Sequence, residues 1–139
     1  MVHYRYATEE QRALADDARR ILEKELKPQL EALEKADHGL GAYPMDVHKI
    51  MAEAGYYATN IPEELGGLNL DVVTRTVIAE EIAQIDAGFA FAFTNLGNNS
   101  NAVWETSLPQ EEKQAIAEKT LTGELKFCFC LTEAHAGPD

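Results

Sequence analysis

The sequence predicts an all-α fold, an orthogonal helical bundle of about six helices, followed by one strand that would open a β-domain beyond this chain. Three observations carry that reading. Apolar residues recur at three- and four-residue spacing in several separate segments. Helix-start residues (Thr8, Pro44, Asp71, Pro109) precede those segments, and Gly55 and Gly123 stand where helices should stop. Only one stretch, 126–131 (KFCFCL), is convincingly β-prone, and no second strand follows to pair with it.

The first helix opens on Thr8-Glu9-Glu10-Gln11, a capping box in which Thr8 accepts from the N–H three residues on and Gln11 reaches back. From there Leu14, Ala18, Ile21, Leu22, Leu26, Leu30 and Leu33 form one apolar stripe. Pro28 lies within it and should kink or divide the helix near Leu26. After a loop at 37–41, Pro44 opens a helix whose inner face is Val47, Ile50, Met51 and Ala54, ended by Gly55 as the C′ residue. His38 and His48 have no carboxylate or cysteine at metal-ligand spacing and read as surface histidines; no metal site is expected.

Pro62-Glu63-Glu64-Leu65-Gly66-Gly67 reads as a shaped turn, because paired glycines allow positive φ and close backbone approach. It lacks the lysine and spacing of a phosphate loop. Asp71 can cap a helix containing Val72, Val73, Val77, Ile78, Ile82 and Ile85, with Glu80 and Glu81 between them. The adjacent Glu80 and Glu81 point about 100° apart on a helix, so at most one faces inward, in a structural pairing rather than as a catalyst.

The run 87–93 (AGFAFAF) is apolar on nearly every side, as in a helix buried all round, and its small side chains leave room for a ligand slot. The following 94–101 (TNLGNNSN) turns polar and reads as a helix end with a cap, or as amides facing a polar part of a ligand. Trp104 should anchor a short helix after this turn. Pro109 opens the last helix, with Ala115, Ile116 and Leu121 inward and Gly123 as its stop.

Composition narrows the function classes. Twelve Lys and Arg against 24 Asp and Glu give a net charge of −12, which repels phosphate backbones and argues against a general nucleic-acid binder. Cys128 and Cys130 would share one face of a strand, a spacing that suits neither a disulfide nor a CxxC site, and they read as small buried hydrophobes in a reducing compartment. No apolar run is long enough for a membrane span, and the first residues lack a signal-peptide core, so a cytoplasmic location is expected.

Taken together, the order of features over nearly the whole length resembles the N-terminal α-domain of the acyl-CoA dehydrogenases, which are flavoproteins. The pieces are the opening helix with Pro28, Tyr43-Pro44, Ala54-Gly55, Ile61-Pro62-Glu63-Glu64-Leu65-Gly66-Gly67-Leu68, Glu80-Glu81-Ile82-Ala83, Leu96-Gly97 and Gly123-Glu124. The closing Thr132-Glu133-Ala134-His135-Ala136-Gly137-Pro138-Asp139 resembles the family's TEPxAGSD signature, with Ala134 at its proline and Pro138 at its serine. Each piece alone is weak; their joint order and spacing carry the resemblance.

The resemblance implies a helical domain over 1–125 and the start of a middle β-domain over 126–139. It implies FAD as cofactor, with Phe129, Leu131 and Thr132 at the flavin, where the Thr132 hydroxyl would stabilise charge arriving on the ring. It implies an acyl-CoA substrate, with Phe93, Leu96 and Gly97 lining the acyl slot and Pro138 at a position that contacts flavin phosphate or the CoA portion. Proline offers that contact neither hydroxyl nor N–H. The implied reaction removes the α-proton and passes the β-hydride to flavin, giving the trans-2-enoyl-CoA. No catalytic residue is assigned in this chain, since the family's glutamate base lies in or near the C-terminal helical domain. Electron-transfer flavoprotein as acceptor and a homo-oligomer, tetramer or dimer, are likewise implied. The alternatives are a stand-alone helical binding or scaffold module, and an oxidase or flavin monooxygenase of the same superfamily.

Overall fold

The computed structural model describes residues 6–36, 43–127 and 135, with 96–101 described by their backbone. Six α-helices make up the architecture: α1 (Glu9–Glu25), α2 (Leu30–Lys35), α3 (Met45–Glu53), α4 (Val72–Ala83), α5 (Ala87–Trp104) and α6 (Gln110–Leu121). Short 3-10 turns at Lys27–Gln29, Tyr56–Ala58 and Glu63–Leu65 join them. No strand occurs among the described residues. Of the expected strand, Lys126 and Phe127 lie in no regular element, and 128–131 are outside the described residues.

Helix α1 begins at the expected capping box, with Gln11 N–H donating to Thr8 Oγ1 at 3.2 Å and Thr8 N–H to Gln11 Oε1 at 2.9 Å. Pro28 sits in the 3-10 turn that separates α1 from α2, as its missing N–H requires. The inner face of α1 is Ala15, Ala18, Leu22 and the C-cap Leu26. Leu14, expected in that stripe, is 40% exposed, because Ala15 takes the inward position one residue on.

The core is held between α1, α4 and α3. Val77, Ile78 and Ile82 of α4 and Val47 and Met51 of α3 are fully buried with Leu22. Glu81 is buried among them at 2% exposure and accepts from Arg19 Nη1 at 2.7 Å, which is the structural pairing expected for one of the two glutamates. The half-buried Arg19 also donates to Glu23 and Gln84, so the pair closes the seam between α1 and α4.

Several expectations about faces need correction. Ala54 is exposed and Ala52 buried, while Val47 and Met51 stay inward, a shift of the α3 inner face by about a quarter turn. His48, read as a surface histidine, has no exposed surface. In α6 the inward residues are Ala117 and Thr120, with Ile116 and Leu121 partly covered; Ala115 is exposed. Helix α5 does not end at the asparagine-rich stretch but continues unbroken to Trp104, which closes it rather than anchoring a separate helix. Asn costs only about half a kcal/mol in a helix interior, and the buried Trp104 ring, packed edge-on against Phe127, holds the last turn in place. Lys113 Nζ then donates to the Trp104 carbonyl at 2.8 Å, satisfying a helix-end acceptor.

Candidate functional site: an apolar cleft between two antiparallel helices

Helices α4 and α5 form a hairpin through Gln84–Asp86, and their outer faces, with the segment 56–60, enclose a cleft of about 480 Å³. The α4 wall is Val72, Arg75, Thr76, Ala79, Glu80 and Ala83, every one at three- or four-residue spacing and so on one face. The α5 wall is Ala87, Ala90, Phe91 and Thr94 at the same spacing, with Phe93 beside them. Tyr56, Tyr57, Thr59 and Asn60 close the back.

This geometry explains one misreading. Phe91 is 70% exposed, although the run 87–93 was expected to be buried all round; Val72 of the facing wall is 66% exposed. Helix α4 carries two faces to be accounted for, one on the core (Thr74, Val77, Ile78, Glu81, Ile82) and one on the cleft. The alanines at Ala79, Ala83, Ala87 and Ala90 keep the two helices' outer faces low and leave the space open. Small residues in 87–93 were legible as slot-formers; the matching Ala79 and Ala83, four residues apart on α4, carried the same signal and were missed.

Tyr57 ties the cleft to the interior. Its ring lies in the cleft wall 5.9 Å from the Phe93 ring, while its hydroxyl lies within hydrogen-bond distance of His48 Nδ1, at 2.7 Å. Tyr43 Oη lies 3.1 Å from the same nitrogen, and Lys126 Nζ sits 3.7 Å over the Tyr43 ring. Burial lowers the His48 pKa to about 4, helped by the positive charge of Lys126, and burial likewise drives the Tyr57 phenol far up. The imidazole is therefore neutral at physiological pH, a fixed acceptor for the tyrosine rather than an acid or base. Its Nε2 faces the Gly123 backbone and makes no hydrogen bond of ordinary geometry.

The loop that positions Asn60 is the glycine turn. Leu68, Asn69 and Leu70 N–H groups donate to Ala58, Ile61 and Thr59 carbonyls at 2.8, 3.0 and 2.8 Å, folding the chain back over the segment 58–61. Gly66 has φ +86, and a Cβ on Gly67 would lie 1.9 Å from the Ile61 carbonyl oxygen. The two glycines thus serve the two purposes read from the sequence, one each.

Of the residues assigned from sequence, Phe93 is buried and lines the cleft. Leu96 and Gly97 lie further along α5 on the same hairpin arm. Phe129, Leu131, Thr132 and Pro138 are outside the described residues, as are Ala134 and Glu133. Sequence reading missed Tyr57, Asn60, Arg75 and Thr76. Among the described residues no group of three or more His, Cys, Asp or Glu side chains could hold a metal ion. No helix of the described residues is long and apolar enough to cross a membrane.

A helical domain that turns one open, alanine-walled cleft outward offers a wall for a slender apolar ligand. Residues 8–124 match the family description "Acyl-CoA dehydrogenase, N-terminal domain", and the chain belongs to that family. It is 28% identical over 137 residues to an acyl-CoA dehydrogenase of Bacillus subtilis (strain 168), covering 96% of this chain and 34% of that protein. It is also 28% identical over 135 residues to the caffeyl-CoA reductase-Etf complex subunit CarC of Acetobacterium woodii, covering 96% of this chain and 35% of that one. The fold superposes on the crystal structure of an acyl-CoA dehydrogenase complexed with FAD from Bacillus anthracis with a TM-score of 0.82 at 27% identity. That match covers 98% of this chain and 23% of the other. The chain spans about a third of the length of the curated relatives it matches.

Proposed function

We propose that this chain is the N-terminal helical domain, residues 1–125, of an FAD-dependent acyl-CoA dehydrogenase, with 126–139 opening a middle β-domain. The complete protein would oxidise an acyl-CoA thioester to the trans-2-enoyl-CoA. The observation that carries this reading is the family match over 8–124 together with the α4–α5 cleft, whose small and aromatic walls suit an acyl chain. Phe93, with Leu96 and Gly97 beyond it, belongs to that slot, and Pro138 to the CoA-proximal end.

The described residues do not themselves fit a flavin dinucleotide. Its pyrophosphate calls for a cradle of N–H donors or several cations, and the cleft has a single cation among its lining residues, Arg75. The flavin therefore belongs with Phe129, Leu131, Thr132 and the β-domain they would open. This domain's share of the work is to bind and align the acyl chain and to keep water from it. It supplies no acid or base: Glu81 is paired in the core with Arg19, and Glu80 stands exposed at the cleft edge.

Relatives named as reductases, among them a 3-(aryl)acrylate reductase of Clostridium sporogenes at 25% identity, favour keeping the direction of the reaction open to test. An electron-transfer flavoprotein is the proposed electron partner, in keeping with the Etf complex named for one relative and with the electron transferring flavoprotein of Acidaminococcus fermentans. A chain of the latter superposes at TM-score 0.81 and 30% identity, covering 99% of this chain and 34% of that one. The test is to purify the complete gene product and titrate it anaerobically with acyl-CoA while following flavin absorbance. Bleaching by acyl-CoA is the expected result. A colourless protein, or a flavin that no acyl-CoA bleaches, would remove the dehydrogenase reading; reoxidation of the reduced flavin by enoyl-CoA alone would reverse its direction.

A further inference from the structure

We infer that Arg75 makes one end of the cleft a recognition site for an anionic oxygen, so that the preferred acyl group carries a carboxylate at its end remote from the thioester. The inference rests on the acyl-CoA reading above and adds the class of acyl group.

Arg75 stands in the cleft-facing row of α4 and is partly buried. A guanidinium has five N–H donors. One nitrogen, Nη1, donates to Asn60 Oδ1, while Nε is fully buried and has no partner. Arg75 takes part in no ion pair among the described residues, unlike the half-buried Arg19, which meets Glu81 and Glu23. A charged donor withdrawn from water and left unmet is costly, so its position calls for an acceptor. A plain alkyl chain in the cleft would exclude more water and leave it worse off. A carboxylate would accept from it with charge assistance, and in a fork geometry if Nε and an Nη both engage.

The rest of the cleft is graded in the same sense. The hairpin places Ala83 and Ala87 together at its turn, whereas Arg75, Thr76 and Thr94 lie towards the other end, beside Asn60. Eight residues of helix separate Arg75 from Ala83, about 12 Å at 1.5 Å per residue. One end is thus all alanine and the other offers hydroxyls, an amide and an unpaired cation. Glu80 also borders the cleft, but it is exposed, has the Tyr6 hydroxyl at 3.5 Å, and lies more than a turn nearer the alanine end. Water and salt screen it, while Arg75 Nε is shielded.

The test uses the complete gene product with adipoyl-CoA and hexanoyl-CoA, which differ only in a terminal carboxylate for a methyl. Both binding, by calorimetry with the non-oxidisable thioether analogues, and rate of flavin reduction are read. Adipoyl should be favoured by about tenfold or more. Arg75→Gln should abolish that preference, bringing the adipoyl-to-hexanoyl ratio to about one or below, and Arg75→Lys should restore part of it. An unchanged melting temperature would show that the variants fold. Equal or tighter binding of hexanoyl by the unaltered protein would overturn the inference, as would Arg75→Gln weakening both ligands alike. If the adipoyl preference fails while hexanoyl still reduces the flavin, the carboxylate inference falls and the dehydrogenase reading stands; if neither thioester binds, both fall.

Discussion

At the scale of single residues, His48 and Arg75 are the informative cases of polarity placed inside: His48 meets a tyrosine hydroxyl at Nδ1, whereas Arg75 keeps a buried Nε with no partner among the described residues. His48 is an inner residue of α3 because its Nδ1 has a tyrosine hydroxyl from the next turn of chain to accept. Nothing in the spacing of His38 and His48 signalled this; the partner Tyr57 is nine residues away and Lys126 far beyond, so burial was not legible. The consequence is a pH dependence with a definite sign. The folded-state pKa lies near 4, below the 6.5 of an exposed histidine. The unfolded chain therefore takes up a proton that the folded one refuses, so stability is complete above about pH 6.5 and falls as pH drops towards 4. Between pH 7.5 and 5.0 the loss from this group should be about 2 kcal/mol. Urea unfolding of the chain and of His48→Gln at both pH values checks it: the variant should be less stable at pH 7.5 but lose less on acidification. Parallel losses would show that His48 does not titrate as described.

At the scale of elements, the caps and turns were the most legible features and the helix faces the least. Thr8, Pro28, Gly55, Asp71 and Gly123 act locally, and each does in the structure what its chemistry dictated, with Gly55 and Gly123 at φ +84 and +71. Faces depend on what packs against a helix. Helix α4 turns one side to the core and another to the cleft, so apolarity alone does not separate the buried Val77 from the exposed Val72. The stretch 94–101 failed for the opposite reason: its asparagines are locally turn-like, and tertiary burial of Trp104 overrides a small propensity cost. The glycine turn makes the sharpest prediction at this scale. Gly66→Ala meets only ordinary contact and should cost about 1 kcal/mol for its positive φ. Gly67→Ala drives a Cβ into backbone and should cost roughly 3 kcal/mol or more, or prevent folding. Thermal unfolding of the two variants ranks them, and the reverse order would contradict the turn geometry.

At the scale of the whole molecule, the six helices of the described residues form a core on one side and an open slot on the other. The core is packed between α1, α3 and α4 with Phe89, Ala90 and Phe93 of α5, and beyond it α4 and α5 turn an outer face of small residues to the cleft. That outer face is what a ligand or a neighbouring domain would use. The family and the all-α class were readable from the order of motifs, since those are local and sequential. The slot was readable only in part, through Phe93 and the small residues of 87–93, because Arg75 joins it from α4 and Tyr57 and Asn60 from the distant segment 56–60. The central claim is that an acyl chain lies in this cleft. Ala83 tests it directly, since it lines the cleft, is exposed, and can be enlarged without disturbing the core. In the complete gene product, Ala83→Phe should leave flavin content and the reaction with the shortest acyl-CoA intact while cutting flavin reduction by longer ones at least about tenfold. An unchanged chain-length profile for flavin reduction in Ala83→Phe would contradict the claim.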